Sequence, residues 1–202
     1  MEKKLVLGIG FLFFLTFIYG SPLPLLNEQD IPRSRDDAIN GLVEMMDNTK
    51  ISYENSNFGA LLDNFIFESD RYPGTIKISF DWILFDSEYN QENHAAFEEI
   101  RRDPYNIWLK DETRIYVSKE VFYKKLEAKS VTIKLIIMEI LKHMESNLNV
   151  FRNGKRDLDI LGIEWISRTE CNIGLRMSQI KMKYKNGRWK IASVLICGGS
   201  GC

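Results

Sequence analysis

Two groups of residues in this 202-residue chain have types and spacings that could do chemistry. The first is a set of three cysteines, Cys171, Cys197 and Cys202. The second is a basic hairpin in which Lys181, Lys183, Lys185, Arg188 and Lys190 interleave with Tyr184 and Trp189. A cationic stripe of this kind can bind sulfated or phosphorylated polyanions, with Lys181, Lys183 and Lys190 as the contact residues. The plainer reading is that alternate strand residues face water while Met182, Trp189 and Ile191 face the core. Other chemistry finds little footing. There is no Gly-rich phosphate loop, no paired-cysteine metal spacing and no His-Glu-x-x-His, so neither a cofactor nor a metal is expected. His94 and His143 sit some fifty residues apart on helical stretches, and read as a surface and a core-edge residue rather than ligands. Asp157 and Asp159 share one face of a strand just after a turn, where carboxylates are ordinarily solvated. The Gly198–Cys202 tail fails as a nucleophile elbow, because Cys202 stands where glycine is needed.

The elements that must position these residues follow from periodicity. Ser34 reads as a helix cap ahead of Ile39, Leu42, Val43 and Met46, which predicts an amphipathic helix over 35–48. A short helix fits 56–63. Ile76, Ile78, Phe80, Trp82 and Leu84 alternate with polar residues as a strand. Asn90 opens a helix that stops before Pro104, 105–117 reads as a bent strand or strand pair, and Ser118 caps a helix reaching Ala128. Residues 131–147 fit a helical stripe and also a β-branched alternation, and periodicity favours helix. Strands are expected at 157–167, 171–184 and 189–197, the last two joined by Lys185-Asn186-Gly187-Arg188 as a type I′ turn. In that hairpin, partners sum to 373, which sets Cys171 opposite Cys202 with Cys197 on the neighbouring face. Gly198-Gly199 bends the chain before Cys202, so a bridge from Cys171 to either Cys202 or Cys197 is expected, three separate thiols being the alternative.

The N-terminus carries the strongest signal. A basic start at Lys3-Lys4 precedes the apolar run Leu5–Tyr19, and Gly20-Ser21-Pro22 follows. This is the layout of a secretory signal peptide over 1–20; the run is shorter than the roughly 20 apolar residues of a spanning helix. Residues 21–33, with three prolines, read as a flexible arm, 34–197 as one domain and 198–202 as a glycine-rich tail. The mature chain would be secreted, with no membrane attachment after cleavage. It would hold 25 basic against 27 acidic residues, a net charge of −2. That balance argues against a dedicated nucleic-acid binder. No Asn-x-Ser/Thr acceptor occurs, and three cysteines are too few for a disulfide-built scaffold.

The element order, with Leu61–Glu68 (LLDNFIFE), Ser118-Lys119-Glu120-Val121-Phe122 and Asn186-Gly187-Arg188-Trp189-Lys190-Ile191, resembles the nuclear-transport-factor-2-like superfamily, in particular its small secreted, nematode-type members. The resemblance spans 35–68 and 118–197; the 70–117 stretch is longer than the family pattern. It implies an α+β fold, a cone-like curved antiparallel sheet with N-terminal helices packed on its concave face. It also implies a tendency to homodimerise through the sheet. Enzymes of that superfamily place acidic, tyrosine or histidine side chains inside the cone, which makes Asp63, Asp70, Asp81 and His94 candidates for proton abstraction in an isomerase- or dehydratase-type reaction. The carry-over is poor: Ser69 stands where the base carboxylate belongs, Asp70 is displaced by one residue and so to the other face, and the predicted first helix holds no tyrosine. The expectation is a secreted, non-enzymatic domain that binds a protein or a small apolar ligand through the cone or the open sheet face. The proton-abstracting enzyme is the alternative.

Overall fold

The computed structural model describes residues 31–80, 91–102, 114–152, 162–174 and 179–196. The signal segment, most of the arm, the glycine tail, Asp81, Asp157, Asp159, Cys197 and Cys202 lie outside them.

Helix α1, Arg35–Glu54, starts where Ser34 Oγ accepts a hydrogen bond from the Asp37 amide at 3.0 Å, with Asp36 and Asp37 complementing the helix dipole. Its buried stripe is Ala38, Ile39, Leu42, Met45, Met46 and Thr49. The helix runs well beyond the expected end at 48 and so takes in Tyr53, a half-buried residue packed on the core. Contrary to expectation, the first helix therefore does hold a tyrosine. Helix α2, Phe58–Leu62, is capped by Asn57 and buries Leu61 and Leu62. The next residues are pinned to the far end of the chain: the Ile66 amide donates to the Ile191 carbonyl and the Ile191 amide to the Asn64 carbonyl, each at 2.8 Å.

Strand β1, Thr75–Phe80, follows, then α3, Gln91–Arg102, and β2, Arg114–Ser118. Ser118 caps α4, Lys119–Glu127, as expected, its hydroxyl accepting from the Val121 amide at 3.2 Å. The ambiguous segment is a long helix, α5, Val131–Arg152. Ile133, Ile136, Ile137, Ile140, Met144 and Leu148 are buried at helical spacing, while Val131 and Met138 face solvent, so the 3.6 period prevails over the β-branched alternation.

Strands β3, Ile163–Ser167, β4, Glu170–Ile173, β5, Gln179–Lys185, and β6, Arg188–Ile196, complete a six-stranded sheet of order β2-β1-β6-β5-β4-β3. Two expectations need correcting. The sheet is mixed rather than antiparallel, because β1 runs parallel to β6. The hairpin sets the direction of β6, and the helices between β1 and β6 supply the long crossover that a parallel pair requires. The single strand expected over 171–184 is two strands, β4 and β5, paired antiparallel. Gly174, at φ +118°, stands at the end of β4.

The hairpin itself is as expected. Asn186 and Gly187 have φ of 54° and 75°, and Lys185↔Arg188, Tyr184↔Trp189 and Lys183↔Lys190 pair with sums of 373. One residue is inserted between Ile191 and Ser193, after which Lys181 pairs with Ser193. The insertion and the break of 171–184 together remove the register that set Cys171 opposite Cys202. Cys171 instead lies between Trp165 and Met182.

Residues of every described helix, Ala96 of α3 among them, join one apolar core shared with one side of the sheet. Helix α1 lies against β6, and α5 reaches β4, β5 and β6.

Candidate functional site

Away from the irregularities in β3 and β6, the strands alternate between two faces. Ile76, Ile78, Cys171, Ile173, Ile180, Met182, Trp189 and Ile191 enter the core, which sends the intervening residues to the opposite face. The register lines these up as one row across all six strands: Tyr116, Lys77, Ser193, Lys181, Asn172 and Glu164. A second, shorter row holds Lys190, Lys183 and Glu170. Lys183 and Lys190 are direct cross-strand partners, an arrangement of like charges that costs stability. Lys77 comes from β1 and flanks Ser193 opposite Lys181, about 10 Å away across two strand spacings.

Of this cluster, Lys181 is ion-paired with Glu170, and Lys185 at the turn is paired with Glu68. Among the described residues Lys77, Lys183 and Lys190 have no carboxylate within ion-pairing distance. Partial burial lowers the Lys77 ammonium pKa, and Arg114 and Lys181 lower it further against the pull of Asp70. Burial likewise lowers Lys190, with Arg188 adding to the effect. Lys50 is the opposite case, its pKa raised by the hydrogen bond to Glu145 at 2.7 Å. At near-neutral pH Lys77 and Lys190 should therefore acetylate faster than Lys50 with an activated ester, a difference that peptide mass spectrometry would read directly. Equal rates would contradict the crowding of these lysines.

The expected polyanion residues Lys181, Lys183 and Lys190 thus do share a face, and the fold adds Lys77. Nothing in the sequence pointed to Lys77, because the lysines that share its face come from β5 and β6, more than a hundred residues away.

The proton-abstraction candidates fare differently. Asp63 is exposed at the end of α2 and ion-paired with Lys119 at 3.2 Å. Asp70 is exposed in the bend before β1, and His94 is exposed on α3. His143 lies one turn from Glu139, 3.5 Å away. None of Asp63, Asp70 or His94 enters the core. The buried polar residues among those described are Thr49, Asn64, Thr75, Ser130 and Thr132, none of them ionisable. No group of three potential metal ligands occurs among the described residues, and no described helix is long and apolar enough to cross a membrane.

Cys171 is a free thiol, fully buried, and burial followed by the nearby Glu170 carboxylate pushes its pKa up to about 12. It should resist iodoacetamide in the folded protein and react once unfolded. Mapping that found Cys171 unreactive even after denaturation without reductant would establish a disulfide to Cys197 or Cys202 instead.

Compared with known protein families, curated proteins and solved structures, the chain matches none.

Proposed function

We propose that this protein is an exported, non-catalytic binding domain, and that the basic face of its sheet docks an acidic protein surface. The observation that carries this reading is the cluster of Lys77, Lys181, Lys183 and Lys190 on one sheet face, with like charges directly opposed and three ammonium groups lacking a carboxylate among the described residues. Such a cluster costs the free protein stability and is relieved by an anionic partner. The rim matters too. Glu164, Glu170 and Asn172 bring acceptors to the β3–β4 side, a mixed pattern that suits a protein better than a uniform polyanion. A second copy suits it less well, because a two-fold stack along the strands that sets Ser193 over Lys181 also sets Lys183 over Lys190.

Export is inferred from the signal-like N-terminus, and the curved, cone-like shape from the family resemblance. In this reading the core side of the sheet is structural, filled by Ile, Leu, Met and Phe side chains. The exposure of Asp63, Asp70 and His94 favours binding over proton abstraction, which needs a carboxylate or imidazole held against its substrate.

Calorimetric titration at low salt with a Glu-rich peptide and with a heparin oligosaccharide tests the proposal. The peptide should bind wild type and lose at least about tenfold in affinity to the Lys77→Glu/Lys190→Glu variant. Binding of the oligosaccharide alone would replace the protein partner with a sulfated glycan. No binding of either probe, or binding indifferent to the charge reversal, would overturn the sheet-face assignment.

A further inference from the structure

The start of α1 and the β3–β4 turn, some 130 residues apart in sequence, come together around a cleft of about 380 Å³. Its walls are Pro32, Arg33, Arg35, Ala38, Trp165 and Arg168, completed by two serines. Three arginines line this cleft, and among the described residues no acidic one does. Among the described residues none of the three arginines has a carboxylate within ion-pairing distance. The Arg35 guanidinium lies over the Trp165 ring, 5.8 Å from its centroid, which fixes one cation on an aromatic wall. Trp165 is in turn held edge-on against Trp189, with ring centroids 6.0 Å apart. The helix end does not itself offer its amides freely: Asp37 N is taken by Ser34 Oγ at 3.0 Å. The Ser167 hydroxyl is likewise engaged with Thr169 at 3.3 Å. Charge in this cleft therefore comes from the arginines, and the rest of the wall is mainly apolar.

We propose that this cleft binds a small organic anion, an aromatic or alkyl body carrying one carboxylate or phosphate head. The planar guanidinium forks match either oxyanion by paired hydrogen bonds, while Trp165, Pro32 and Ala38 receive the apolar body. The volume lies at the low end for small-molecule sites, so the ligand is fragment-sized rather than a long chain. The cleft is separate from the lysine face: Trp165 belongs to the core side of β3, and Lys77, Lys183 and Lys190 to the other.

Phenylacetate, phenyl phosphate, neutral phenylacetamide and inorganic phosphate, each titrated into the full chain and followed by the indole N–H resonance of Trp165, test the idea. Phenylacetate or phenyl phosphate should bind with the amide at least about tenfold weaker, and the better of the two identifies the head group. Arg33→Gln/Arg168→Gln should weaken that binding by about tenfold or more while leaving the thermal midpoint unchanged. Lys77→Glu/Lys190→Glu should leave it untouched, which separates this site from the sheet face. Equal binding of phenylacetamide, equal binding of inorganic phosphate, or no response to any probe at about 10 mM would each overturn the proposal.

Discussion

Replacing Trp189 with alanine is expected to cost about 3–5 kcal/mol of folding stability, the range for deleting a large buried aromatic. That is a large part of the roughly 5–15 kcal/mol that holds a typical domain together. Trp189 heads the fully buried side chains, at 1% exposure. It sits at the start of β6 and touches two other rings edge-on, Trp165 at 6.0 Å and Tyr184 at 5.4 Å. Helix α1 has adapted to it. A Cβ on Gly41 would lie 3.0 Å from Trp189 Cδ1, so glycine at 41 lets the helix backbone approach the indole. The cavity left by alanine would open between α1 and the hairpin, where the backbone is already tied by the Ile66–Ile191 and Ile191–Asn64 hydrogen bonds and cannot collapse freely. Among the described residues the indole Nε1 has no hydrogen-bond partner, so Trp189→Phe gives up packing without giving up such a bond and should cost well under half as much as alanine. Urea unfolding followed by circular dichroism measures both. An alanine variant that lost less than about 1 kcal/mol would contradict this account of the core.

The second large effect is expected at Glu99, which acts as a cap supplied from another helix. The start of α5 needs acceptors for its first amides. Ser130 Oγ accepts from the Ile133 amide at 3.3 Å and itself donates to Glu99 Oε1 at 2.5 Å, while the Thr132 amide donates to Glu99 Oε2 at 3.2 Å. Lys125 closes the group with an ion pair to the same carboxylate at 3.1 Å, and Thr132 Oγ1 donates to the Ala96 carbonyl at 2.9 Å. One carboxylate thus joins α3, α4 and α5. Partial burial opposes ionisation of Glu99, yet the hydrogen bonds from Ser130, Thr132 and Lys125 outweigh it and hold the pKa below the ordinary value of 4.5.

Glu99→Ala should cost about 2–3 kcal/mol, the scale of losing charge-assisted hydrogen bonds and leaving their buried donors unmet. The pH dependence follows from the direction of the shift. A carboxyl depressed in the folded state stabilises fully above its unfolded pKa, and that stabilisation disappears as pH falls through the folded value. Wild type should therefore lose stability on acidification below about pH 4.5, and Glu99→Gln should lose less across the same interval. Urea midpoints at pH 7 and about pH 3 decide it; parallel acid losses in wild type and Glu99→Gln would remove Glu99 as their source.

The elements whose formation depends on neighbouring residues were legible in the sequence. Ser34 and Ser118 cap their helices because a hydroxyl reaches an amide three residues on, a relation contained within one turn. Asn186-Gly187 makes the hairpin because both positions need positive φ, and the 373 register holds until the extra residue between Ile191 and Ser193. The long helix over 131–152 was legible only as a preference, since its β-branched residues suit a strand as well; burial on a single stripe decides for helix. The strand expected across 171–184 failed because apolar alternation looks alike on either side of a chain reversal.

By itself, then, the sequence determined the local structure: caps, turns, helical stripes, strand alternation, and the N-terminal pattern from which export is inferred. Only the tertiary structure decided which strands are neighbours. It set β1 parallel to β6, brought Lys77 onto the face of Lys181, placed Cys171 between Trp165 and Met182, and gathered Arg33, Arg35 and Arg168 around the cleft walled by Trp165. The physical reason is the same in each case. Local structure follows from torsional preferences and short-range hydrogen bonds, whereas pairing between distant segments follows from how the whole apolar surface is buried, and no single stretch of residues encodes that.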